Sequence, residues 1–321
     1  MRTTTGAPGA RILALGEYQP PHVVTNDDLA NRVDTTDQWI RDRVGIVSRR
    51  FAGPNESVVD MAVTAGGKAL AASGLAPADI DLVVVATCTM PSAIPNAAAQ
   101  TAARLGIHTP GAFDLNAACA GFVYGLSTAA SAIVAGTARN VLLIGSEKLT
   151  DWVDQDDRAN CIIFADGAGA AVVGPADSVE SAGVGPVVWG RAGDMAETIQ
   201  IADRNSFIQQ EGQAVFRWAT TALAPVAKEA LERAGVAATE LAAFIPHQAN
   251  LRIIEAIARR IGAPQAVVAR DIVHAGNTSS ASIPMALARM IERGEVTSGA
   301  PVLVLGFGAG LTYAGQVITC P

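Results

Sequence analysis

The sequence predicts an α/β protein that builds one plan twice, and three observations carry that expectation. The two halves match at a constant offset of 161 residues, which lays Ala69-Leu70 and Gly74 on Ala230-Leu231 and Gly235, Asn116 on Asn277, Cys119 on Ser280, and Val141-Leu142-Leu143-Ile144-Gly145 on Val302-Leu303-Val304-Leu305-Gly306. In an Ala-rich chain any one match is chance, but five segments in one register, without a gap over about 70 residues of each half, mark a duplication. Within each copy, short β-rich runs alternate with helical stretches. The runs 141–144 and 302–305 are apolar at every position, as in strands covered by helices on both faces.

In the first copy a helix stops at Gly74, and a strand follows at residues 82–86. A second strand ends in Phe113-Asp114-Leu115-Asn116, an uncharged small-residue helix starts near Cys119, and a buried strand closes the unit at 141–144. The second copy repeats this order, with a strand at 243–246, a helix opening on Ser279-Ser280 and a strand at 302–305. Pro284 falls in the first turns of that helix, where a missing N–H is tolerated. Both small-residue helices lack a polar face, which makes them the central layer between two sheets. Residues 115–138 carry no charge and are long enough to cross a bilayer. Their Ala, Gly, Ser and Thr content around Asn116 and Cys119 reads instead as a strand end followed by a helix buried in protein. The halves divide at 1–175 and 176–321.

Composition narrows the function. Of the 321 residues 50% are apolar and 17% charged, which excludes a disordered chain. A net charge of −7 gives no global positive field to gather nucleic acid or an anionic membrane. Cys88, Cys119, Cys161 and Cys320 show no C-x-x-C spacing, which suits a reducing compartment and supports neither a disulfide framework nor a zinc site. Residues 1–6 contain a positive charge but no apolar run after it, so no signal peptide is expected and the protein is expected in the cytoplasm. His274 lies three residues before Asn277, but no carboxylate or third histidine has metal-ligand spacing, and it reads as structural. His22 and His108 offer no site.

Cys119 follows a strand that ends in turn-forming residues and precedes the uncharged helix. The exposed N–H groups and dipole at a helix start favour thiolate, so an acidified, nucleophilic thiol is expected there. His247, in Pro246-His247-Gln248-Ala249-Asn250, sits just past a strand end equivalent to Ala86 in the first copy. Asn277, in Gly276-Asn277-Thr278-Ser279-Ser280, is the mate of the turn that carries Cys119. The repeat symmetry therefore brings a Cys, a His and an Asn together.

Asn116-Ala117-Ala118-Cys119-Ala120-Gly121-Phe122, Pro246-His247-Gln248-Ala249-Asn250, Gly276-Asn277-Thr278-Ser279 and Gly306-Phe307-Gly308-Ala309-Gly310 resemble, in order and spacing, the signatures of the β-ketoacyl-acyl carrier protein synthase III family of the thiolase superfamily. The resemblance covers nearly the whole chain. It implies a thiolase fold of five α-β-α-β-α layers and a homodimer. It also implies that Cys119 takes an acyl group from an acyl-coenzyme A starter and that malonyl-acyl carrier protein enters second. His247 and Asn277 would then hydrogen-bond the thioester oxygen as the malonyl group decarboxylates, and the resulting carbanion would attack the acyl-cysteine. Backbone N–H groups of Cys119 and Ala309 would hold the oxyanion, with coenzyme A as part of a substrate and no metal or cofactor. A same-fold enzyme that passes the acyl group to a hydroxyl is the alternative. An amide at position 277 argues for condensation, since an Asp there would add negative charge beside an enolate.

By the same resemblance Trp39 and Arg158 flank the coenzyme A adenine, and Arg43, Phe216 and Asn250 follow the phosphate and pantetheine tunnel. Arg252 and Arg259, seven apart on one helical face, form with Arg260 and Arg217 a basic patch for the carrier protein. Leu149, Phe164 and Phe307 fall in the acyl pocket. Ile94 stands where relatives often carry a phenylalanine that reaches into the partner subunit's pocket. Segment 189–210, a pocket wall, is shortened. Both departures predict room for branched or bulky starters. Neither the residues nor the resemblance assigns a role to Lys148 or Trp152.

Overall fold

A computed structural model describes residues 4–321; the expectation of no signal peptide, drawn from residues 1–6, lies partly outside the described residues. In chain order the first half runs β1 (Ala10–Tyr18), β2 (His22–Thr25), α1 (Asn26–Ala30), α2 (Asp37–Val44), β3 (Ser48–Phe51), α3 (Val58–Ser73), β4 (Leu82–Ala86), α4 (Ala97–Arg104), β5 (Gly111–Leu115), α5 (Gly121–Val134), β6 (Val141–Lys148) and β7 (Asp166–Pro175). The second runs β8 (Val188–Arg191), β9 (Ile199–Gln200), β10 (Gln209–Gln210), α6 (Gly212–Ala234), β11 (Ala243–Pro246), α7 (Leu251–Ile261), β12 (Val267–Val268), α8 (Ile272–Ala275), α9 (Ser282–Glu292), β13 (Pro301–Gly308) and β14 (Thr312–Thr319).

The large strands form two five-stranded sheets of one topology, β1-β7-β6-β4-β5 and β8-β14-β13-β11-β12. In each, three strands run parallel and two antiparallel strands complete one side. Strand residues alternate between layers. Val84, Leu143 and Val173 of the first sheet, and Ile245, Val304 and Ile318 of the second, face a shared core with Phe122 and Leu126 of α5 and Ile283 and Leu287 of α9. Val83, Val85, Leu142 and Ile144 face outward onto α3 and α4, and Leu303, Leu305 and Phe244 face outward onto α6 and α7. The result is the five-layer α-β-α-β-α sandwich, with α5, which is uncharged, and α9, which carries only Arg289 and Glu292 near its end, in the middle. Each fully buried leucine or phenylalanine there contributes about 1.5–3 kcal/mol. No helix of the described residues is long and apolar enough to cross a membrane.

The symmetry extends to helix ends. Gly74 and Gly235, offset mates, close α3 and α6 in the left-handed conformation at φ +72° and +67°, which glycine adopts without strain. The constant register does fail at one place. The mates of β5 are residues 272–276, yet these form α8, and the second sheet's edge is the short β12 at 267–268. An edge strand pairs on one side only, so fewer contacts hold it to the repeat's plan. The halves differ again after their closing parallel strand: residues 149–165 separate β6 from β7, whereas only residues 309–311 separate β13 from β14. The longer excursion carries Leu149, Trp152 and Phe164 to the cavity described next.

Candidate functional site

Each half makes the same turn before its central helix. Asn116 Oδ1 accepts the Ala118 N–H at 3.1 Å, and Asn277 Oδ1 accepts the Ser279 N–H at 2.8 Å. Ala118 and Ser279 then adopt φ +45° and +49°, a left-handed conformation that costs a non-glycine residue about 1–3 kcal/mol and persists only where surroundings enforce it. A 3-10 turn follows in each, Ala118–Ala120 and Ser279–Ala281. Glycines let the turns approach the opposite sheet. A Cβ on Gly306 would lie 2.9 Å from Ala120 Cα, and one on its mate Gly145 would lie 2.6 Å from the Ser280 carbonyl oxygen.

Cys119, His247 and Asn277 meet in one cavity of about 500 Å³ that also receives Leu149, Phe164, Phe307 and Ala309. Gly308 closes over the thiol: a Cβ there would stand 2.7 Å from Cys119 Cβ and 3.0 Å from its Sγ. The expectation of an acidified thiol is corrected by this packing. Cys119 does sit at the helix start, but burial pushes it up to about 12; hydrogen bonding from Ser279 pulls toward thiolate, and the negative charge of Glu147 pushes it higher. Desolvation outweighs the helix end, so the resting group is a thiol.

His247 follows β11, with its N–H on the Leu305 carbonyl at 2.8 Å. Its Nδ1 lies 2.8 Å from Ser282 Oγ, which already accepts the Gln248 N–H at 3.2 Å. The Ser282 hydroxyl can give its proton to Nδ1, the arrangement in which the ring proton lies on Nε2. Burial lowers the His247 pKa to about 3, so the imidazole is neutral and presents a donor. Phe307 packs edge-on against it, ring centroids 5.2 Å apart. Asn277 is buried. Its backbone N–H bonds the Ile163 carbonyl at 3.0 Å, its carbonyl accepts the Ala165 N–H at 2.9 Å, and its amide oxygen is held by Ser279. That leaves the Asn277 NH₂ as a second donor.

A second cavity of about 540 Å³ shares Ile163, Gln210, Gly212 and Asn250 with the first. Arg43, Phe216, Arg217 and Arg252 line it, and the Arg252 guanidinium lies 5.3 Å over the Phe216 ring. Asn250 caps α7, accepting the Arg252 N–H at 2.9 Å, and donates to the Arg43 carbonyl at 3.2 Å. Its side chain is therefore engaged in holding α2 to α7. Trp39 is flanked by Arg43 at 5.1 Å and Arg158 at 5.0 Å, outside both cavities. Arg259 and Arg260 are exposed at the far end of α7, Arg260 on the Thr220 carbonyl. Ile94 is 84% exposed and lines neither cavity of its own chain. Segment 189–210 does reach the thiol cavity, through residues 199–210.

Sequence reasoning missed three groups at the centre. Cys88 lines the cavity beside Cys119; it lies two residues past the end of β4, as Ala249 lies past His247, and that symmetry was the available signal. Ser279 and Glu147 had none, because their importance arises from contacts between the halves. Trp152 also lines the cavity, its indole N–H on the Thr89 carbonyl at 3.1 Å. Lys148 is buried, bonding the Gly53 carbonyl at 3.1 Å and lying 3.3 Å from Asp151.

Residues 113–193 match the 3-oxoacyl-[acyl-carrier-protein] synthase III family, and residues 231–320 match the family's C-terminal domain. The chain is 54% identical to β-ketoacyl-[acyl-carrier-protein] synthase III 4 of Streptomyces coelicolor, over 98% of this chain and 99% of that protein. It is 46% identical to β-ketoacyl-[acyl-carrier-protein] synthase III of Streptomyces glaucescens, over 100% and 99% respectively. The priming β-ketosynthase of the R1128 polyketide biosynthetic pathway superposes with a TM-score of 0.95 at 44% identity, covering 100% of this chain and 98% of that one.

Proposed function

This chain belongs to the 3-oxoacyl-[acyl-carrier-protein] synthase III family, and from that membership we propose that it condenses an acyl-coenzyme A starter with malonyl-acyl carrier protein. The product is a 3-oxoacyl-acyl carrier protein that opens fatty acid or type II polyketide synthesis. The observation that carries the reading is the convergence of Cys119 with two neutral donors, His247 and Asn277, in one cavity.

In the first half-reaction the Cys119 sulfur attacks the thioester carbonyl and coenzyme A leaves. In the second, malonyl carrier protein places its thioester oxygen between His247 Nε2–H and the Asn277 NH₂. Both groups are uncharged donors fixed by the protein, so they favour the enolate that forms as carbon dioxide departs and need no reorganisation to do so. The carbanion attacks the acyl-cysteine, and the backbone N–H groups of Cys119 and Ala309 hold the tetrahedral oxyanion. Decarboxylation itself supplies the carbanion, so the chemistry asks for no metal or redox cofactor.

The second cavity is the path for the pantetheine arm. Arg43, Arg217 and Arg252 at its rim suit phosphate and an acidic carrier. Arg259 and Arg260 extend the patch, and Trp39 with Arg158 offers a stacking surface for adenine. A homodimer is supported by the unpartnered edge of β5, where Phe113 is 39% exposed, and by the bare Ile94, which such a partner would receive. A smaller side chain there and the wall at 199–210 favour branched or bulky starters.

The test offers acetyl-, isobutyryl- and longer acyl-coenzyme A with malonyl carrier protein, following carbon dioxide and product. Release of carbon dioxide with a 3-oxoacyl product, faster for a branched starter than for acetyl, is expected. Acyl transfer to a hydroxyl acceptor without carbon dioxide would overturn condensation, and acetyl preference with Ile94→Phe silent would overturn the pocket reading.

A further inference from the structure

Arg49, on β3, is fully buried at 0% exposure. Burial brings its pKa only down to about 10, so the guanidinium keeps its charge at neutral pH. Among the described residues no carboxylate pairs with it, and its Nε–H has no partner. Taking a cation out of water without an anion beside it is costly. The charge is met by neutral oxygens instead. Nη1 donates to Asn26 Oδ1 at 2.8 Å and to the Val24 carbonyl at 3.4 Å, and Nη2 donates to the Ile162 carbonyl at 2.8 Å. Asn26 is itself fixed, donating to Asp37 Oδ1 and to the Ile46 carbonyl, each at 2.8 Å.

The Ile162 bond carries this anchor to the site. Ile163 and Phe164, which follow it, line the thiol cavity. The Ile163 carbonyl accepts the Asn277 N–H at 3.0 Å, the Asn277 carbonyl accepts the Ala165 N–H at 2.9 Å, and Phe164 and Asn277 form an isolated parallel bridge. The arginine stem packs against the other member of that bridge. A Cβ on Gly276 would stand 2.9 Å from Arg49 Cβ and 2.8 Å from Ala165 Cβ. One side chain therefore holds both sides of the bridge, Ile162 through its head and Gly276 through its stem.

We propose that Arg49 is a positioning residue for decarboxylation, one that keeps the Phe164–Asn277 bridge in register so that the Asn277 NH₂ meets the malonyl thioester oxygen. Arg49 lines neither cavity and acts only through that amide. A displacement of about 1 Å in such a donor is enough to cost a hundredfold in rate. Docking of the carrier protein, made by other residues, does not depend on it.

This assignment rests on the condensing reading, and the experiment keeps the two apart. Cys119 is first acylated and the adduct confirmed by intact mass. Its discharge is then followed at rising concentrations of malonyl carrier protein in the native enzyme, Arg49→Met, Arg49→Lys, Asn277→Ala, and Asn277→Ala combined with each arginine substitution. In Arg49→Met the limiting discharge rate is expected to fall about thirtyfold, with the half-saturating carrier concentration unchanged within about twofold. Arg49→Lys keeps the charge but cannot fork between Asn26 and Ile162, and is expected to lose about fivefold. Within Asn277→Ala neither arginine substitution is expected to cost anything further, because both act through the missing amide. General loosening of the core would not produce that result. Discharge at the native rate in either arginine variant, a change confined to half-saturation, or a full further loss on top of Asn277→Ala would overturn the assignment; where the methionine variant does not fold, the lysine variant carries the same comparison. Absence of any Cys119 adduct in the native enzyme would instead overturn the condensing reading.

Discussion

The turns at 116–119 and 277–280 share an Asx hydrogen bond, a left-handed third residue and a 3-10 turn into a central helix. They differ in what the opposite sheet sets against them. Against the first stands Gly308, with no side chain and open cavity beside it; against the second stands its offset mate Glu147, whose carboxylate gathers the hydroxyls of Ser279 and Ser280. One copy of the turn carries Cys119, the proposed nucleophile. The other has become a polar clamp that holds Asn277, while His247 comes from the strand end beside it. The two equivalent turns thus differ at their fourth residue, Cys119 against Ser280, and at the facing position, Gly308 against Glu147.

Removing the nucleophile breaks the comparison most completely: Cys119→Ala should abolish the acyl adduct in intact-mass measurements, and Ser280 should not replace it. Next in size is Gly308→Ala. Its φ of 175° suits any residue, so the expected damage is steric, a methyl driven into Cys119. Turnover should drop about a hundredfold through the displaced thiol, with a stability loss of about 1–3 kcal/mol by chemical denaturation. The reciprocal change, Glu147→Gly, makes the two facing positions alike. It strands the hydroxyls of Thr87, Thr89, Ser279 and Ser280, which bond the carboxylate, and should cost about 3 kcal/mol, read by the same denaturation.

Asn277→Asp keeps the Asx bond but sets a charge beside the enolate. Decarboxylation should fall about a hundredfold with little change in the thermal midpoint. A further effect concerns pH. Because the folded His247 pKa is lowered from 6.5 to about 3, the unfolded chain binds a proton in that window and the native chain does not. Stability is therefore fully present above 6.5 and is lost as pH falls toward 3. Asp166, raised from 3.8 to about 6, acts oppositely, adding stability as pH falls through its window. His247→Gln should therefore flatten the acid loss in denaturation curves, and native decarboxylation should show no inflection near 6.5.

The inner strands, the two central helices and the trio of Cys119, His247 and Asn277 were legible because the repeat and the motifs are local strings of residues. The edge strand at 267–268 was not, since pairing on one side leaves little pattern to read. The acidity of Cys119 was misread for a related reason: a helix start is visible in sequence, but the burial that overrides it is made by Gly308 and the opposite sheet. Glu147 and Ser279 escaped notice because each matters through the other half. Arg158 beside Trp39, by contrast, was legible through the family resemblance alone.

The central claim, that one of two equivalent turns is reactive, is tested most directly by peptide-resolved mass spectrometry of the acylated enzyme before and after malonyl carrier protein is added. The account predicts one acyl group per chain, on Cys119, discharged as a 3-oxoacyl product, with Cys88 and Ser280 unmodified. An acyl group on Cys88 or Ser280, or one on Cys119 that malonyl carrier protein leaves in place, would contradict it.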